Sequence, residues 1–145
     1  MIPEFNTYGC LPEGVHEATF AEIRVKFGTN PHREGLLDQM ESLLANLAGA
    51  GCTRFFLDGS FVTAKELPED YDALLGYEGL NQSLLDPIIL QTPNAGLVKE
   101  KYGCDLMPCD IKGHSGKFWL DYFTTDKESG QPKGIIKVIF DGGLK

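Results

Sequence analysis

Two aspartates one residue apart, Asp70 and Asp72, are the residues of this sequence best placed to do chemistry. They open a short apolar segment, residues 71–75, that is typical of a β-strand. Because side chains alternate between the two faces of a strand, we expect both carboxylates on the same face. Two carboxylates aimed at one point suit a hard cation such as Mg²⁺, which takes oxygen ligands and shares them with substrate phosphates.

A Gly-Ser pair, Gly59 and Ser60, lies a short polar excursion before the aspartates and follows the aromatic segment 53–57, which predicts another strand. Glycine lets backbone N–H groups approach an anion closely. A serine here is able to cap a following helical turn, whose N-terminus favours negative charge. Phosphate beside Gly-Ser and metal beside the aspartates together predict a nucleotide-handling site.

This order of apolar strand, Gly-Ser and Asp-x-Asp resembles the signature of the nucleotidyltransferase fold of polymerase-beta-like enzymes and minimal nucleotidyltransferases. Over almost its whole length the chain is also similar to a bacterial and phage family of nucleotidyltransferase-like proteins. The residues that carry this second resemblance are Leu11-Pro12-Glu13-Gly14-Val15-His16, Asp58-Gly59-Ser60-Phe61-Val62-Thr63, Pro68-Glu69-Asp70-Tyr71-Asp72 and Pro132-Lys133-Gly134-Ile135. The first resemblance implies an activity, and the second implies none in particular.

A phosphoryl-transfer site with two metal ions needs a further carboxylate, to help hold the second ion and to accept the proton of the attacking hydroxyl. In the nucleotidyltransferase fold it comes from a neighbouring strand. We assign Asp121, because it interrupts the aromatic segment 118–123, where a carboxylate without a partner is costly. An ion pair or a strand-end position would also account for it. Asp105 and Asp110 are the alternatives.

Basic side chains are expected beside the phosphates of the donor. Lys65 lies in the excursion after the Gly-Ser pair, and Lys133 lies where a long hairpin returns to the sheet. Either ammonium could act as a point charge on a phosphate, and a solvated surface position is the plain alternative for each. Arg33, at the start of a long helix, is a further candidate.

The sequence departs from the nucleotidyltransferase signature at Asp58, where an apolar residue is usual. A carboxylate there repels phosphate unless a cation or a basic side chain offsets it. Phe61, Val62 and Glu69 stand where minimal nucleotidyltransferases place a basic residue, a glycine and often a serine.

Capping signals and periodicity predict the elements that position these residues. Thr19 and Glu22 predict a capping box for a short helix that ends at Gly28, and Asn30-Pro31 predicts the start of a longer one. The longer helix carries one apolar stripe, expected to pack on the sheet, formed by Leu36, Met40, Leu43, Leu44 and Leu47.

Further segments predict a helix over 95–101 and strands over 104–109, 118–123 and 135–140, with the last two joined as a hairpin. The expected fold class is α+β, with a nucleotidyltransferase-like mixed or antiparallel sheet and helices packed on one face.

Composition fits one domain over residues 1–145, with residues 1–18 as an extended leader along its surface, in which His16 is expected to be a hydrogen-bonded structural residue. The net charge of −8 argues against a protein that grips a long nucleic-acid tract. No Cys-x-x-Cys pair occurs, so the four cysteines are expected to be reduced and mostly buried. With no apolar run of membrane-spanning length, we expect a cytoplasmic protein with no membrane partner.

The resemblance and the residues together predict an enzyme that uses Mg²⁺, with two ions expected, to move a nucleoside monophosphate from a nucleoside triphosphate to a hydroxyl on a protein, an RNA or a small molecule. Asp70, Asp72 and Asp121 would hold metal, and Gly59, Ser60, Lys65 and Lys133 would bind the donor. One alternative is a partner-binding protein, such as the antitoxin of a toxin–antitoxin pair or a phage-defence component. Another is a nucleotide sensor without turnover.

Overall fold

The structure, a computed structural model, describes residues 2–7, 9–90, 95–108 and 134–140. Its strands are β1 (Val15–Thr19), β2 (Phe55–Asp58), β3 (Tyr71–Leu75), β4 (Cys104–Pro108) and β5 (Ile135–Ile139). Its helices are α1 (Phe20–Phe27), α2 (Pro31–Gly49), α3 (Pro87–Leu90) and α4 (Ala95–Tyr102), with 3₁₀ turns at Ser60–Val62 and Gln82–Leu84. The predicted α+β class is confirmed.

The described strands form one mixed sheet in the order β1-β5-β2-β3-β4. β1 runs parallel to β5 and β3 parallel to β4, whereas β2 is antiparallel to both of its neighbours. The strand predicted over 104–109 is confirmed over Cys104–Pro108, and among the described strands β4 is the last of the order, so Pro108 lies beside β3 only. Such a position suits proline, which cannot donate to a ladder.

Residue register divides the sheet into two different faces. On one face Phe55, Leu57, Tyr71, Ala73 and Leu75 belong to the main hydrophobic core. Buried side chains from all four helices join the same core, including the α2 stripe, whose five predicted members are at most 7% exposed. On the other face Phe56, Leu74 and Ile135 form a smaller apolar cluster. The described helices therefore pack against the first face, and the second face carries the smaller apolar cluster.

Both predicted helix starts are confirmed. Thr19 and Glu22 form a reciprocal capping box at α1, in which the Thr19 side chain accepts from the Glu22 N–H. Asn30 caps α2 by accepting from the Arg33 N–H at 2.8 Å, and Pro31 occupies the first turn. These caps satisfy N–H groups that have no partner within the helix.

Two long-range predictions differ from the structure. The leader is not confined to the surface, because residues 15–19 form a strand of the sheet, the first in the order of the described strands, and Leu11 is 1% exposed. The hairpin predicted between 118–123 and 135–140 is wrong for β5, because β5 has β1 on one side and β2 on the other. Residues 118–123 themselves lie outside the described residues.

His16 and the cysteines have the structural roles expected of them. The His16 ring Nε2 lies 2.7 Å from the Pro12 carbonyl oxygen, which makes it a hydrogen-bonded residue of the leader. Cys10, Cys52 and Cys104 are buried thiols, and Cys109 lies outside the described residues. Within the described ranges, no helix has the length and apolar character needed to cross a membrane.

Candidate functional site

Three carboxylates converge on the second face of the sheet. Asp70 immediately precedes β3, Asp72 lies within β3 and Asp105 lies within β4; one carboxylate oxygen from each falls within 4.8 Å of the others. All three side chains are half-buried. We call Asp70, Asp72 and Asp105 the carboxylate cluster. The structure thus brings Asp70 and Asp72 together, as their spacing predicts.

The third member of the cluster is Asp105. In the sequence it is one of two alternatives to Asp121 for the third carboxylate of the site. Asp121 and the other alternative, Asp110, lie outside the described residues. Asp105 reaches the cluster because β3 and β4 run parallel in a register that pairs it with Asp72. Paired residues of neighbouring strands point to the same face. The sequence shows Asp105 on a short strand but not which strand lies beside it.

A fourth carboxylate, Asp58, lies in line with the cluster. Asp58 pairs with Asp72 across the antiparallel ladder of β2 and β3, so Asp58, Asp72 and Asp105 form a row over three neighbouring strands. Asp58 is 0% exposed. Like charges directly opposite one another destabilise a sheet. This face therefore carries four carboxylates close together, and carboxylate oxygens are ligands of the kind that a hard cation takes.

Lys99 of α4 supplies positive charge to the cluster. Its Nζ lies 2.7 Å from Oδ2 of Asp70 and 3.7 Å from Oδ2 of Asp105, while the lysine side chain remains 49% exposed. The hydrogen bond to Asp70, followed by the charges of Asp70 and Asp105, raises the pKa of Lys99. Sequence reasoning missed this residue. Its place beside the aspartates depends on β3 and β4 being neighbours, which the sequence does not show.

Gly59 is required by the position of Asp72. The glycine has φ +80°, a left-handed conformation that side-chain-bearing residues rarely adopt. A Cβ atom at this position would lie 2.9 Å from Cγ and 3.2 Å from Cβ of Asp72, and closer still to Oδ2. The Asp72 carboxylate therefore lies directly against the backbone of the Gly-Ser turn, and only glycine leaves room for it.

Ser60 does not make the cap expected of it. The 3₁₀ turn covers only Ser60–Val62, its N-cap is Gly59, and among the described residues no side chain caps it. Ser60 instead uses its carbonyl oxygen, which accepts a hydrogen bond from Oγ1 of Thr63 at 2.6 Å. One 3₁₀ turn aligns too few peptide units for a strong N-terminal dipole. Donor binding by Ser60 therefore depends on its exposed groups and remains a prediction.

Arg33 is a structural residue and not the phosphate ligand suggested by the sequence. It is 2% exposed, and its guanidinium donates to four backbone carbonyl oxygens. The acceptors are Phe61 at 2.8 Å, Thr63 at 2.9 Å, Phe27 at 3.4 Å and Lys65, which is bound from two nitrogen atoms. These bonds use all five N–H donors of an arginine side chain. Arg33 thus fixes the chain that follows the Gly-Ser turn, and burial lowers its pKa.

The structure describes one of the two lysines that are predicted to bind phosphate. Lys65 is exposed; its carbonyl is held by Arg33 and its N–H donates to Oγ1 of Thr63 at 3.2 Å, so its backbone position is fixed. Whether its ammonium binds a donor stays a prediction. Lys133 lies outside the described residues.

The first face of β3 gives the cluster a rigid support. The Tyr71 ring is buried and packs edge-on against Phe61 of the 3₁₀ turn, with ring centroids 6.1 Å apart. Burial raises the pKa of the Tyr71 hydroxyl well above its usual value and the pKa of the neighbouring Cys104 thiol to about 12. Both groups therefore stay neutral at physiological pH. On the face of the sheet opposite the carboxylates, Tyr71 and Cys104 link β3 to β4, and Tyr71 links β3 to the turn after Gly59.

The fold and the site define an α+β protein with a carboxylate cluster on one face of a mixed sheet. Residues 3–139 match a protein family described as a family of unknown function (DUF6932), and the chain belongs to that family. The match includes Gly59, the whole carboxylate cluster and Lys99. No curated protein and no solved structure matches the chain.

Proposed function

We propose that the protein is a Mg²⁺-dependent nucleotidyltransferase that moves a nucleoside monophosphate from a nucleoside triphosphate to a hydroxyl acceptor. The observation that carries the proposal is the convergence of Asp70, Asp72 and Asp105 beside the backbone of Gly59. Carboxylate oxygens are the ligands that Mg²⁺ prefers, and Mg²⁺ sites usually combine one or two carboxylates with substrate phosphates. The three carboxylates therefore suit the metal of a Mg²⁺-nucleotide, and the adjacent backbone at Gly59 suits its phosphates.

Each member of the cluster has an assigned role. Asp70 and Asp72 would hold the cation, and Asp72 lies against Gly59, next to the turn that would receive the donor phosphates. When bound, Mg²⁺ offsets the negative charge that develops on the phosphoryl oxygens. Asp105 would complete the ligand set, and its side chain, at 41% exposed against 21% for Asp70, is the more accessible of the two carboxylates in salt bridges with Lys99 to an acceptor hydroxyl.

In the proposed reaction the acceptor hydroxyl oxygen attacks the α-phosphorus of the donor. The new bond joins that oxygen to the α-phosphorus, the bond to the β-phosphate oxygen breaks, and pyrophosphate leaves. The hydroxyl proton passes to Asp105, acting as general base. Asp105 here takes the role of ligand and base that the sequence predicts for Asp121; Asp121 lies outside the described residues and its role stays a prediction, as do the contacts of Lys65 and Lys133 to the phosphates.

Label transfer tests the proposal. The protein is incubated with Mg²⁺, cell lysate and each of the four ribonucleoside triphosphates, labelled at the α-phosphate or at the γ-phosphate. We expect label from the α-phosphate to enter an acceptor and label from the γ-phosphate to leave in pyrophosphate. Digestion of the product with ribonuclease or protease then distinguishes RNA, protein and small-molecule acceptors.

Two variants make the label-transfer experiment decisive. Asp72→Asn should reduce transfer at least ~10³-fold, because such catalysis is mostly positioning and charge stabilisation. Asp38→Asn removes an equal charge from an α2 side chain that is 73% exposed, and should transfer as the wild type does. Equal transfer by the wild type and Asp72→Asn, or no transfer by the wild type, contradicts the proposal.

A nucleotide sensor is the second candidate, and Asp58 is the observation that favours it. This buried carboxylate immediately precedes Gly59 and lies opposite Asp72, so it adds negative charge where donor phosphates would have to lie. A sensor would bind a Mg²⁺-nucleotide and transfer no label. Binding of a partner protein, as by an antitoxin, remains a prediction from the sequence.

A further inference from the structure

Two lysines on α4 contact different carboxylates. Nζ of Lys99 lies 2.7 Å from Asp70 and 3.7 Å from Asp105, within the carboxylate cluster. Nζ of Lys101 lies 2.5 Å from Asp86, which lies beside α3 and outside the cluster. The two side chains have similar exposure, 49% for Lys99 and 58% for Lys101. They differ chiefly in which carboxylates they neutralise.

We propose that Lys99 is a built-in counter-ion of the carboxylate cluster, and that a divalent cation must displace its ammonium from Asp70 and Asp105 in order to bind. This inference rests on the proposed function, because it assumes that the cluster is the cation site. It assigns Lys99 as a positioning residue that sets the affinity and the charge requirement of that site.

The position of the Lys99 ammonium is the first observation that supports displacement. The ammonium contacts two of the three side chains that would ligate the cation, and it does so through Oδ2 in both cases. A cation that takes these oxygen atoms as ligands occupies the space in which the ammonium now lies. An ammonium and a divalent cation at the same oxygens also repel each other strongly. Occupation by one therefore opposes occupation by the other.

Charge is the second argument. Ionised carboxylates directly opposite one another on neighbouring strands, as Asp72 and Asp105 are, repel each other, and Asp70 lies beside them. Lys99 offsets part of this repulsion when no cation is bound. The ammonium of Lys99 is at the end of a flexible four-carbon side chain that is half-exposed. It can therefore move into water when a divalent cation replaces it. The same lysine thus stabilises the cation-free fold and opposes cation binding.

Calorimetric titration with MnCl₂, used as a probe for the Mg²⁺ site, tests the inference on four proteins. Lys99→Met should bind Mn²⁺ about three- to tenfold more tightly than the wild type, since it loses the competing cation. Lys99→Arg keeps the charge and should stay within about twofold of the wild type. Lys101→Met is the matched control, because it lowers the net charge equally but acts at Asp86, and its affinity should not change.

Thermal unfolding of the same proteins gives a second readout that does not depend on catalysis. Without divalent cation, Lys99→Met should melt at a lower temperature than the wild type, because the cluster has lost its counter-ion. Saturating Mn²⁺ should raise the melting temperature of Lys99→Met by more than it raises that of the wild type.

The outcomes separate this inference from the proposed function. If Asp72→Asn loses Mn²⁺ binding while Lys99→Met binds as weakly as the wild type or more weakly, the role of Lys99 is overturned and the cation site stands. If neither the wild type nor Lys99→Met binds Mn²⁺ at millimolar concentration, both proposals are overturned. Tighter binding by Lys101→Met equal to that of Lys99→Met would show a general charge effect and would also overturn the role of Lys99.

Discussion

The carboxylate of Asp72 lies against the Cα of Gly59, so closely that a Cβ atom at Gly59 would lie 2.9 Å from its Cγ. This contact joins the two parts of the candidate site, the Gly-Ser turn after β2 and the aspartates of β3. It also explains why the turn residue before Ser60 is a glycine: its φ of +80° disfavours a side chain, and the adjacent carboxylate occupies the space that a Cβ atom would need.

Gly59→Ala is expected to damage the site both by backbone strain at a positive φ and by a clash with Asp72. Gly79→Ala introduces the backbone strain alone. Gly79 has φ +81°, but a Cβ there would meet nothing within 4 Å. Gly79→Ala should therefore cost only the backbone strain, about 1 kcal/mol of unfolding free energy. Gly59→Ala should cost about 2–4 kcal/mol and weaken Mn²⁺ binding, since Asp72 must move. Equal losses in urea denaturation of the two variants would contradict the role given to the contact.

Asp105→Asn should weaken cation binding without harming the fold. The substitution removes one charge from the row formed with Asp72 and Asp58, so we expect the unfolding free energy in cation-free buffer to be unchanged or higher by about 0.5 kcal/mol. Mn²⁺ affinity should fall about tenfold or more. A clear loss of stability with unchanged Mn²⁺ affinity would show that Asp105 serves the fold and not a site.

Arg33→Met should strongly destabilise the protein. The substitution leaves four backbone carbonyls without their buried donor, at an expected cost of about 3 kcal/mol. Arg24→Met is the control, since Arg24 pairs with Glu34 and Asp38 near the surface and should cost less than about 1 kcal/mol. Urea denaturation measures both, and similar losses would contradict a special role for Arg33.

Asp86→Asn should lower stability in a pH-dependent way. Hydrogen bonds from Lys101 at 2.5 Å and Tyr102 at 2.6 Å lower the pKa of Asp86, whose side chain is 11% exposed. A carboxyl whose pKa is lower in the folded state contributes stability above its unfolded pKa and loses that contribution as pH falls through the folded value. Asp86→Asn should therefore cost about 1–2 kcal/mol at pH 7.

The difference in unfolding free energy between the wild type and Asp86→Asn should stay constant from about pH 7 to pH 5 and shrink below about pH 4. Asp38→Asn, on an exposed side chain, should show little difference at any of these values. A difference between the wild type and Asp86→Asn that grows on acidification would have the wrong sign for this interaction.

Local signals were enough to predict the elements that carry the site. The caps at Thr19 and Asn30, the apolar stripe of α2 and the alternation that places Asp70 and Asp72 together all depend on residues a few positions apart. Each of these features forms from short-range contacts, so each can be read from a short stretch of sequence.

Features that depend on strand order could not be predicted in the same way. Asp105 joins Asp72 only because β4 lies parallel to β3, and Lys99 reaches both strands only because α4 connects them. Arg33 is a candidate phosphate ligand in the sequence, but the chain after the Gly-Ser turn folds over it and supplies most of its acceptors. Such contacts join residues far apart in sequence, and the periodicity of apolar residues along the chain does not predict them.

Diffraction from crystals soaked in MnCl₂ and a non-hydrolysable nucleoside triphosphate analogue would show whether the carboxylate cluster holds a cation beside a nucleotide. We expect an anomalous peak coordinated by Asp70, Asp72 and Asp105, with the phosphates of the analogue beside Gly59 and with Lys99 displaced from the cluster. A cluster that holds no Mn²⁺ at millimolar concentration, with Lys99 still on Asp70 and the analogue bound elsewhere or not at all, would contradict this expectation.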